Sequence, residues 1–165
     1  MNNNKIVTLL EDQFFILLAK MEQIIEMCPE ELWNTEKDGT NFWRQCLYTL
    51  AQVNLRLREE KIGGDIIEFN KENIYPKNND ITIMLTNKVY TKDEIIKGLN
   101  DLVDVAEDWF SEKNDEWLKS PYKIYEKITN FDMTIRLFSF IAYHNGYWET
   151  IFRENGVKNQ ITDNK

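Results

Sequence analysis

The sequence predicts an all-α fold, a four-helix bundle with a long crossover between helices 2 and 3. Glycine and proline are scarce, at six and three of 165 residues, which favours long helices over short strands joined by tight turns. Apolar side chains recur every three or four residues along four stretches, which is the spacing of amphipathic helices. The length is that of one domain, so residues 1–165 are interpreted as a single domain with residues 157–165 as a frayed tail.

The first predicted helix covers about residues 5–27, and Pro29 ends it because the residue before a proline disfavours the helical conformation. Residues 29–33 then predict a single helical turn, with the proline at an early position that needs no backbone N–H. Residues 34–41 contain an Asp-Gly pair and are interpreted as a loop.

The second predicted helix covers about residues 41–60. Thr40 or Asn41 can cap its first turn, and a Gly-Gly pair at 63–64 ends it. Residues 63–90 are interpreted as a long crossover loop. The β-branched segment 81–85 is compatible with a short strand, but a lone strand has no partner. Loops of this length are uncommon in compact domains, so the crossover is a candidate to cover the mouth of a pocket.

Two capping boxes open the third and fourth predicted helices. Thr91 with Glu94, and Thr129 with Asp132, place a hydroxyl and a carboxylate three residues apart. In this arrangement each side chain accepts a backbone N–H of the first helical turn. The two boxes therefore fix where both helices begin.

The third helix carries its apolar stripe to about residue 110 and breaks near Asn114. Residues 120–130 are interpreted as a linker, and the fourth helix covers about residues 131–154. Asn155 and Gly156 end that helix, with the glycine available for the left-handed position after the cap. Three side chains are expected to anchor the linker, namely Tyr122, Ile124 and Tyr125.

The formal charge of −8 argues against nucleic-acid binding, since that binding relies on clustered Lys and Arg. Here the basic residues are scattered between acids, as on a solvated surface. The longest apolar run, around residues 14–19, is far too short to span a membrane, and the start of the chain has no signal-peptide pattern. We therefore expect a cytoplasmic protein with neither nucleic-acid nor membrane partners, in which Cys28 and Cys46 are buried thiols.

The sole histidine of the chain, His144, falls in the fourth predicted helix among large apolar side chains. Helical bundles build metal and ligand sites from titratable side chains in such positions. No second histidine exists to join it. A metal site made of histidines alone is therefore impossible within one chain.

Two stretches of the sequence resemble the DinB-like (YfiT-like) superfamily of metal-dependent enzymes. The first is Leu32-Trp33 together with residues 38–50, which include Phe42-Trp43. The second is residues 143–156, with a His-x-Gly pattern followed by an apolar-Arg ending and glycine. With the order and lengths of the helices, the resemblance covers nearly the whole chain. It implies a four-helix bundle and, in members that bind metal, three histidine ligands.

Carried over position by position, the resemblance places the last of those histidines at His144. Its partner four residues earlier falls on Phe140, and the histidine of the second helix falls on Tyr48, or on Thr49 if the register differs by one. Phe140 cannot coordinate a metal, and a neutral phenol is a poor ligand for Zn or Ni. Acidic residues of the first and third helices lie between apolar positions and are expected to face solvent. The resemblance thus implies a degenerate metal site in which His144 is the one retained ligand, and no metal cofactor is expected.

What remains is a candidate pocket lined by Tyr48, Phe140 and His144, with Trp43 or Trp148. A buried histidine beside a tyrosine hydroxyl suits proton transfer or the binding of a small polar molecule. The alternative is a structural histidine that hydrogen-bonds Tyr48, another side chain or water, with Phe140 filling the volume of the lost metal.

Two functional hypotheses follow from these residues. The first is a small-molecule-binding or interaction protein without metal that forms a homodimer, since exposed apolar helix faces favour self-association. The second, implied by the resemblance, is a metal-dependent hydrolase or a thiol S-transferase of the bacillithiol type. The family name also suggests a DNA-damage-inducible role, but the acidic sequence does not support direct DNA binding.

Overall fold

Helix dominates the part of the chain that the computed structural model describes, which comprises residues 5–37, 40–57 and 88–157. The expected all-α class is confirmed for these ranges. In chain order the elements are α1 (Lys5–Met27), α2 (Glu30–Trp33), β1 (Glu36–Lys37), β2 (Thr40–Asn41), α3 (Phe42–Leu57), α4 (Lys92–Ser111), α5 (Asp115–Lys119), β3 (Pro121–Tyr122), β4 (Tyr125–Thr129) and α6 (Asn130–Glu154).

The four long helices share one apolar core. Helix α1 packs against α4 and α6, and α3 packs against the same two helices. Each long helix contributes side chains with no solvent exposure, among them Phe14, Leu50, Leu102 and Ile141. The apolar spacing that predicts the helices is therefore also the spacing of the faces that they bury.

Both predicted capping boxes are confirmed. The N–H of Thr91 donates to Oε2 of Glu94 at 2.9 Å, and the N–H of Glu94 donates to the Thr91 hydroxyl at 3.3 Å. At the start of α6 the corresponding distances between Thr129 and Asp132 are 2.8 and 3.2 Å. These bonds pair backbone donors that have no partner inside the helix.

Helix α6 ends at a glycine in the left-handed conformation, as the sequence predicts. Gly156 has φ +72°, its N–H donates to the carbonyl of Arg153 at 3.1 Å, and the N–H of Val157 donates to that of Phe152 at 2.9 Å. This pair of bonds is the Schellman motif. Val157, the first residue of the predicted frayed tail, also packs against the core. The rest of that tail, residues 158–165, lies outside the described residues.

The linker predicted over residues 120–130 is instead an antiparallel hairpin of β3 and β4. Asn130 closes its base, because its N–H donates to the carbonyl of Ser120 at 3.0 Å and its amide donates to the carbonyl of Trp117 at 3.0 Å. Within the loop predicted over residues 34–41, β1 and β2 also pair. Three of these four strands have only two residues, and strands this short are recognised only when their partners are known.

Several predictions concern residues that lie outside the described ranges. These are the end of the second helix at residue 60, its stop at 63–64, the segment 81–85 and nearly all of the crossover at 63–90. No helix within the three described ranges combines the length and the apolar character needed to cross a membrane.

The same substitution at two glycines near the end of α6 should change stability in opposite directions. A Cβ added at Gly146 or Gly156 meets no atom within 4 Å, so neither alanine creates a clash. Gly156→Ala places a Cβ in the left-handed region and should lower the free energy of unfolding by about 1–2 kcal/mol. Gly146→Ala replaces glycine inside an exposed helical turn and should raise it by up to about 1 kcal/mol.

Urea denaturation of the two variants and the unmodified chain measures both effects. An unchanged or increased stability of Gly156→Ala would contradict the Schellman ending of α6.

Candidate functional site

Four aromatic rings surround the imidazole of His144. The exposed fraction of this residue is 7%. On α6, the ring centroids of Phe140, Tyr143 and Trp148 lie 4.6, 5.3 and 5.8 Å from that of His144. From α3, the ring centroid of Tyr48 lies 6.4 Å away. Residues four apart lie on the same helix face, which is why Phe140 and Trp148 both reach His144, whereas Tyr143 is its neighbour in sequence. These five residues are called the His144 cluster below.

Four of the five predicted pocket residues belong to this cluster, and the fifth, Trp43, does not. The ring of Trp43 is buried against Tyr90, with 5.8 Å between centroids, and makes no ring contact with the described members of the cluster. Trp43 and Tyr48 are five residues apart on α3, and at 3.6 residues per turn their side chains point in clearly different directions. Of the two tryptophan alternatives, the structure therefore brings Trp148 to His144.

The contact between His144 and Tyr48 is a ring contact and not the hydrogen bond considered from the sequence. Their ring planes are 67° apart at a centroid distance of 6.4 Å. Nδ1 of His144 has no hydrogen-bond partner among the described residues. The imidazole is therefore held by edge-to-face packing against its aromatic neighbours.

Two buried hydrogen bonds beside His144 fix the position of α6. The amide of Asn145 donates to the backbone carbonyl of Leu17 on α1 at 3.0 Å. The indole N–H of Trp148 donates to Oε1 of Gln45 on α3 at 3.2 Å. Buried polar groups require such partners, so the two bonds limit both rotation and sliding of α6.

Burial keeps the polar groups of the cluster uncharged. It lowers the pKa of His144 from 6.5 to about 4, because the imidazolium loses hydration and gains no compensating partner. Burial also raises the pKa of Tyr48 above its ordinary value, while the positive charge of Arg56 opposes that change. General acids and bases work best with a pKa near the working pH. The pair is thus poorly matched to proton transfer near neutral pH.

The donor set around His144 does not fit a metal ion. Phe140 has no donor atom, and Tyr48 is a neutral phenol. The hydroxyl of Thr49, at the alternative register, donates to the carbonyl of Gln45 in its own helix at 2.9 Å. Among the residues that the structure describes, no three His, Cys, Asp or Glu side chains come together in a group able to hold a metal ion.

Both cysteines are free and buried, as the sequence predicts. Burial raises the pKa of Cys28 to about 12, although the charge of Lys92 opposes it. Burial also raises the pKa of Cys46 well above its ordinary value. Reactive thiols need a depressed pKa, so neither cysteine is an activated nucleophile.

A cavity of about 830 Å³ lies next to the His144 cluster and shares one wall residue, Phe140, with it. It is bounded by the last turns of α3, the β3–β4 hairpin and the first half of α6. Its volume falls in the range of small-molecule sites in proteins. The apolar part of the lining consists of Leu55, Ile124, Ile128, Met133 and Phe140.

The polar part of the lining is basic. Nη1 of Arg56 donates to the carbonyl and to Oε1 of Gln52 at 2.7 and 2.9 Å. Its guanidinium carbon lies 5.3 Å from the ring centroid of Phe140. Arg136 is exposed on α6. No Asp or Glu is among the described residues that line the cavity, and neither arginine forms a salt bridge with a described carboxylate.

Burial lowers the pKa of Arg56 from its ordinary value, and the nearby Tyr122 and Tyr48 oppose that change. An arginine side chain nevertheless keeps its charge in proteins. Arg56 is therefore a half-buried cation beside the amide of Gln52 and aromatic rings.

The hairpin and the two arginines are site components that the sequence prediction does not include. Tyr122, Ile124 and Tyr125 are expected from the sequence only as anchors of a linker. A signal existed for them, since residues 121–128 are rich in aromatic and β-branched side chains typical of strands. Arg56 and Arg136 carry no comparable signal, because basic residues are scattered among acids along the whole chain.

Comparisons of the chain with protein-family models, with curated proteins and with solved structures give no match. The DinB-like resemblance rests on the residues quoted above and stays a prediction.

His144 should stay neutral in the folded protein down to about pH 4. In the unfolded chain the imidazole has its ordinary pKa of 6.5, so the unfolded state binds the proton first as the pH falls. The stabilising contribution of this difference is complete above pH 6.5 and is lost as the pH falls towards 4. Its full size is about 3 kcal/mol.

An NMR titration reads this pKa directly, because the chain has one imidazole. The free energy of unfolding of His144→Phe should fall less steeply between pH 6.5 and 4 than that of the unmodified chain. A titration midpoint near 6.5 would show that the ring is hydrated and would contradict the buried cluster.

Proposed function

We propose that this chain binds a small organic molecule in the cavity between α3, the β3–β4 hairpin and α6, without a metal ion. The proposal depends on one observation: the cavity of about 830 Å³ has an apolar wall and a few polar groups that converge on it. Binding sites for small molecules share this combination, in which apolar area supplies affinity and polar groups supply orientation.

The proposal includes a DinB-like four-helix bundle with a long crossover between its second and third long helices. Two observations support this arrangement. Helices α1 and α3 each pack against α4 and α6, as in a four-membered bundle. In the sequence, residues 58–91 also separate Leu57, the last described residue of α3, from α4, and this separation is longer than those between the other long helices.

Binding is proposed in preference to catalysis because of the chemistry of the described side chains. The hydrolase or S-transferase alternative depends on a metal centre. At the positions that the resemblance assigns to its ligands, Tyr48 and Phe140 stand beside His144. The imidazole has a pKa of about 4, and its Nδ1 has no acidic or hydroxyl partner among the described residues.

Blocking the cavity should abolish binding of a small apolar probe. Ile128 is half-buried on β4 and lines the cavity, so Ile128→Trp should fill part of the volume and reduce the affinity at least about tenfold, or about 1.4 kcal/mol. Calorimetric titration with 2-naphthoate and its neutral analogue 2-naphthamide measures the effect. Ile16→Trp is the matched control, because Ile16 is 60% exposed on α1, away from the cavity lining.

At least one probe should bind the unmodified chain with a stoichiometry of one, and Ile16→Trp should not alter that affinity. Absence of binding by both probes would refute the proposed function. Equal loss in both variants would show that the binding surface lies elsewhere.

The proposal also includes a homodimer formed through apolar side chains of α1 and α6. Leu9 is 59% exposed and Ile135 is 41% exposed. Ile6 and Phe131, from the same two helices, border a common shallow depression of about 330 Å³. Large exposed apolar groups on neighbouring helices favour self-association.

Light scattering at micromolar concentration should give the mass of a dimer, and Leu9→Glu should convert it to a monomer, because a buried unpaired charge is strongly unfavourable. Val89→Glu, at a side chain that is 58% exposed outside this surface, is the control. If the unmodified chain were a monomer, the proposed dimer would be refuted, and the proposal of small-molecule binding would be unaffected.

A further inference from the structure

The charge of the cavity is opposite to that of the whole protein. The chain carries eight more acidic than basic residues, yet the cavity beside α3, the hairpin and α6 has two arginines and no acid among its described lining residues. A local excess of one sign in a partly enclosed space concentrates ligands of the other sign. The inference below rests on the proposed function and concerns the chemical class of the ligand.

Phe140, Arg56 and Arg136 all line the cavity. Arg56 approaches the ring of Phe140 from α3, with 5.3 Å between the guanidinium carbon and the ring centroid. Arg136 is four residues before Phe140 on α6, and residues at this spacing are neighbours on one helix face. A group bound in the cavity beside Phe140 is therefore within the part of the lining that contains both arginines.

Arg56 is held in place before any ligand binds. Its Nη1 donates to the carbonyl and the side-chain oxygen of Gln52 at 2.7 and 2.9 Å. Arginine has five N–H donors in a planar fork, so two bonds on one side leave further donors for a ligand. A fixed guanidinium loses little side-chain freedom on binding, which favours recognition of a planar or tetrahedral oxyanion.

The remaining walls define the body of the ligand. Ile124, Ile128 and Met133 are apolar, and Tyr122 and Tyr125 add aromatic rings. Apart from the two tyrosine hydroxyls, these side chains offer no hydrogen-bond partners, whereas a sugar or a peptide backbone would need several. This lining suits a flat or aliphatic hydrocarbon group.

We propose that the cavity binds an organic anion whose acidic group pairs with Arg56 and Arg136 and whose apolar body packs between the hairpin and α6. The acidic group is a carboxylate or a phosphate monoester, since arginine pairs with both through two parallel hydrogen bonds. The two arginines orient the ligand and select for its charge.

Three naphthalene probes of nearly equal size test this assignment: 2-naphthoate, 2-naphthyl phosphate and the neutral 2-naphthamide. In calorimetric titrations at low salt, at least one anion should bind about tenfold or more tightly than the amide. The better of the two anions identifies the acidic group. Raising the salt from about 20 to about 200 mM should weaken binding of the anion and leave the amide unchanged.

Arg136→Gln is the decisive variant, because Arg136 is exposed and its loss should not disturb the core. It should reduce the affinity for the anion about tenfold and change that for the amide less than twofold. Arg136→Lys keeps the charge and should recover part of the lost affinity. Arg153→Gln is the matched control, an exposed arginine on the same helix about 25 Å further along its axis.

The outcomes separate this inference from the proposed function. Equal affinity for anions and amide, with both lost in Ile128→Trp, would overturn the anion assignment and leave the binding site in place. A preference for anions that survives both Arg136→Gln and Arg56→Gln would also overturn it. If none of the three probes bound, both proposals would fall.

Discussion

The hydrogen bonds that join the middle of α6 to its two neighbours determine the geometry of the candidate site. Asn145 bonds to the backbone of Leu17 on α1, and Trp148 bonds to Gln45 on α3, at 3.0 and 3.2 Å. Leaving such a buried group without its partner costs about 1–3 kcal/mol. Any rotation of α6 would break at least one of the two bonds, so the helix has essentially one orientation. In that orientation Phe140 faces α3 and forms the wall of the cavity.

The same constraint explains why His144 is buried without a hydrogen bond at Nδ1. His144 precedes Asn145 and is one turn before Trp148, so its direction follows from theirs and not from its own interactions. The surrounding rings supply apolar area and edge-to-face contacts, which offset part of the cost of burying a polar ring. Desolvation costs less free energy for the neutral imidazole than for the charged form. This difference lowers the pKa of His144. The His144 cluster is therefore interpreted as a packed structural support for the adjacent cavity wall.

Local chemistry made most of the fold predictable from the sequence, and contacts between distant residues account for what was missed. The first helix, both capping boxes and the glycine ending of α6 depend on residues within a few positions of each other. The β3–β4 hairpin is absent from the sequence prediction because β3 has only two residues, too few to indicate a pairing with β4. Phe140, His144 and Trp148 lie together because four-residue spacing places side chains on one helix face. Trp43 was not excluded, because the rotation of α3 relative to α6 depends on packing. Arg56 and Arg136 line the same cavity only because the fold brings α3 and α6 together. The residues next to each arginine in the sequence do not indicate this position.

The proposed anion site would distinguish between anions by their size. At physiological salt the field of an exposed charge is screened within about 8 Å. A small anion inside the cavity therefore interacts mainly with Arg56 and Arg136, while the acidic residues on the outer surface are screened from it. A nucleic acid extends over many such lengths and would meet the excess of surface carboxylates along most of its contact. The charge of −8 and the two cavity arginines are thus compatible. The net negative charge repels extended polyanions, whereas the arginines attract a ligand that is small enough to enter the cavity.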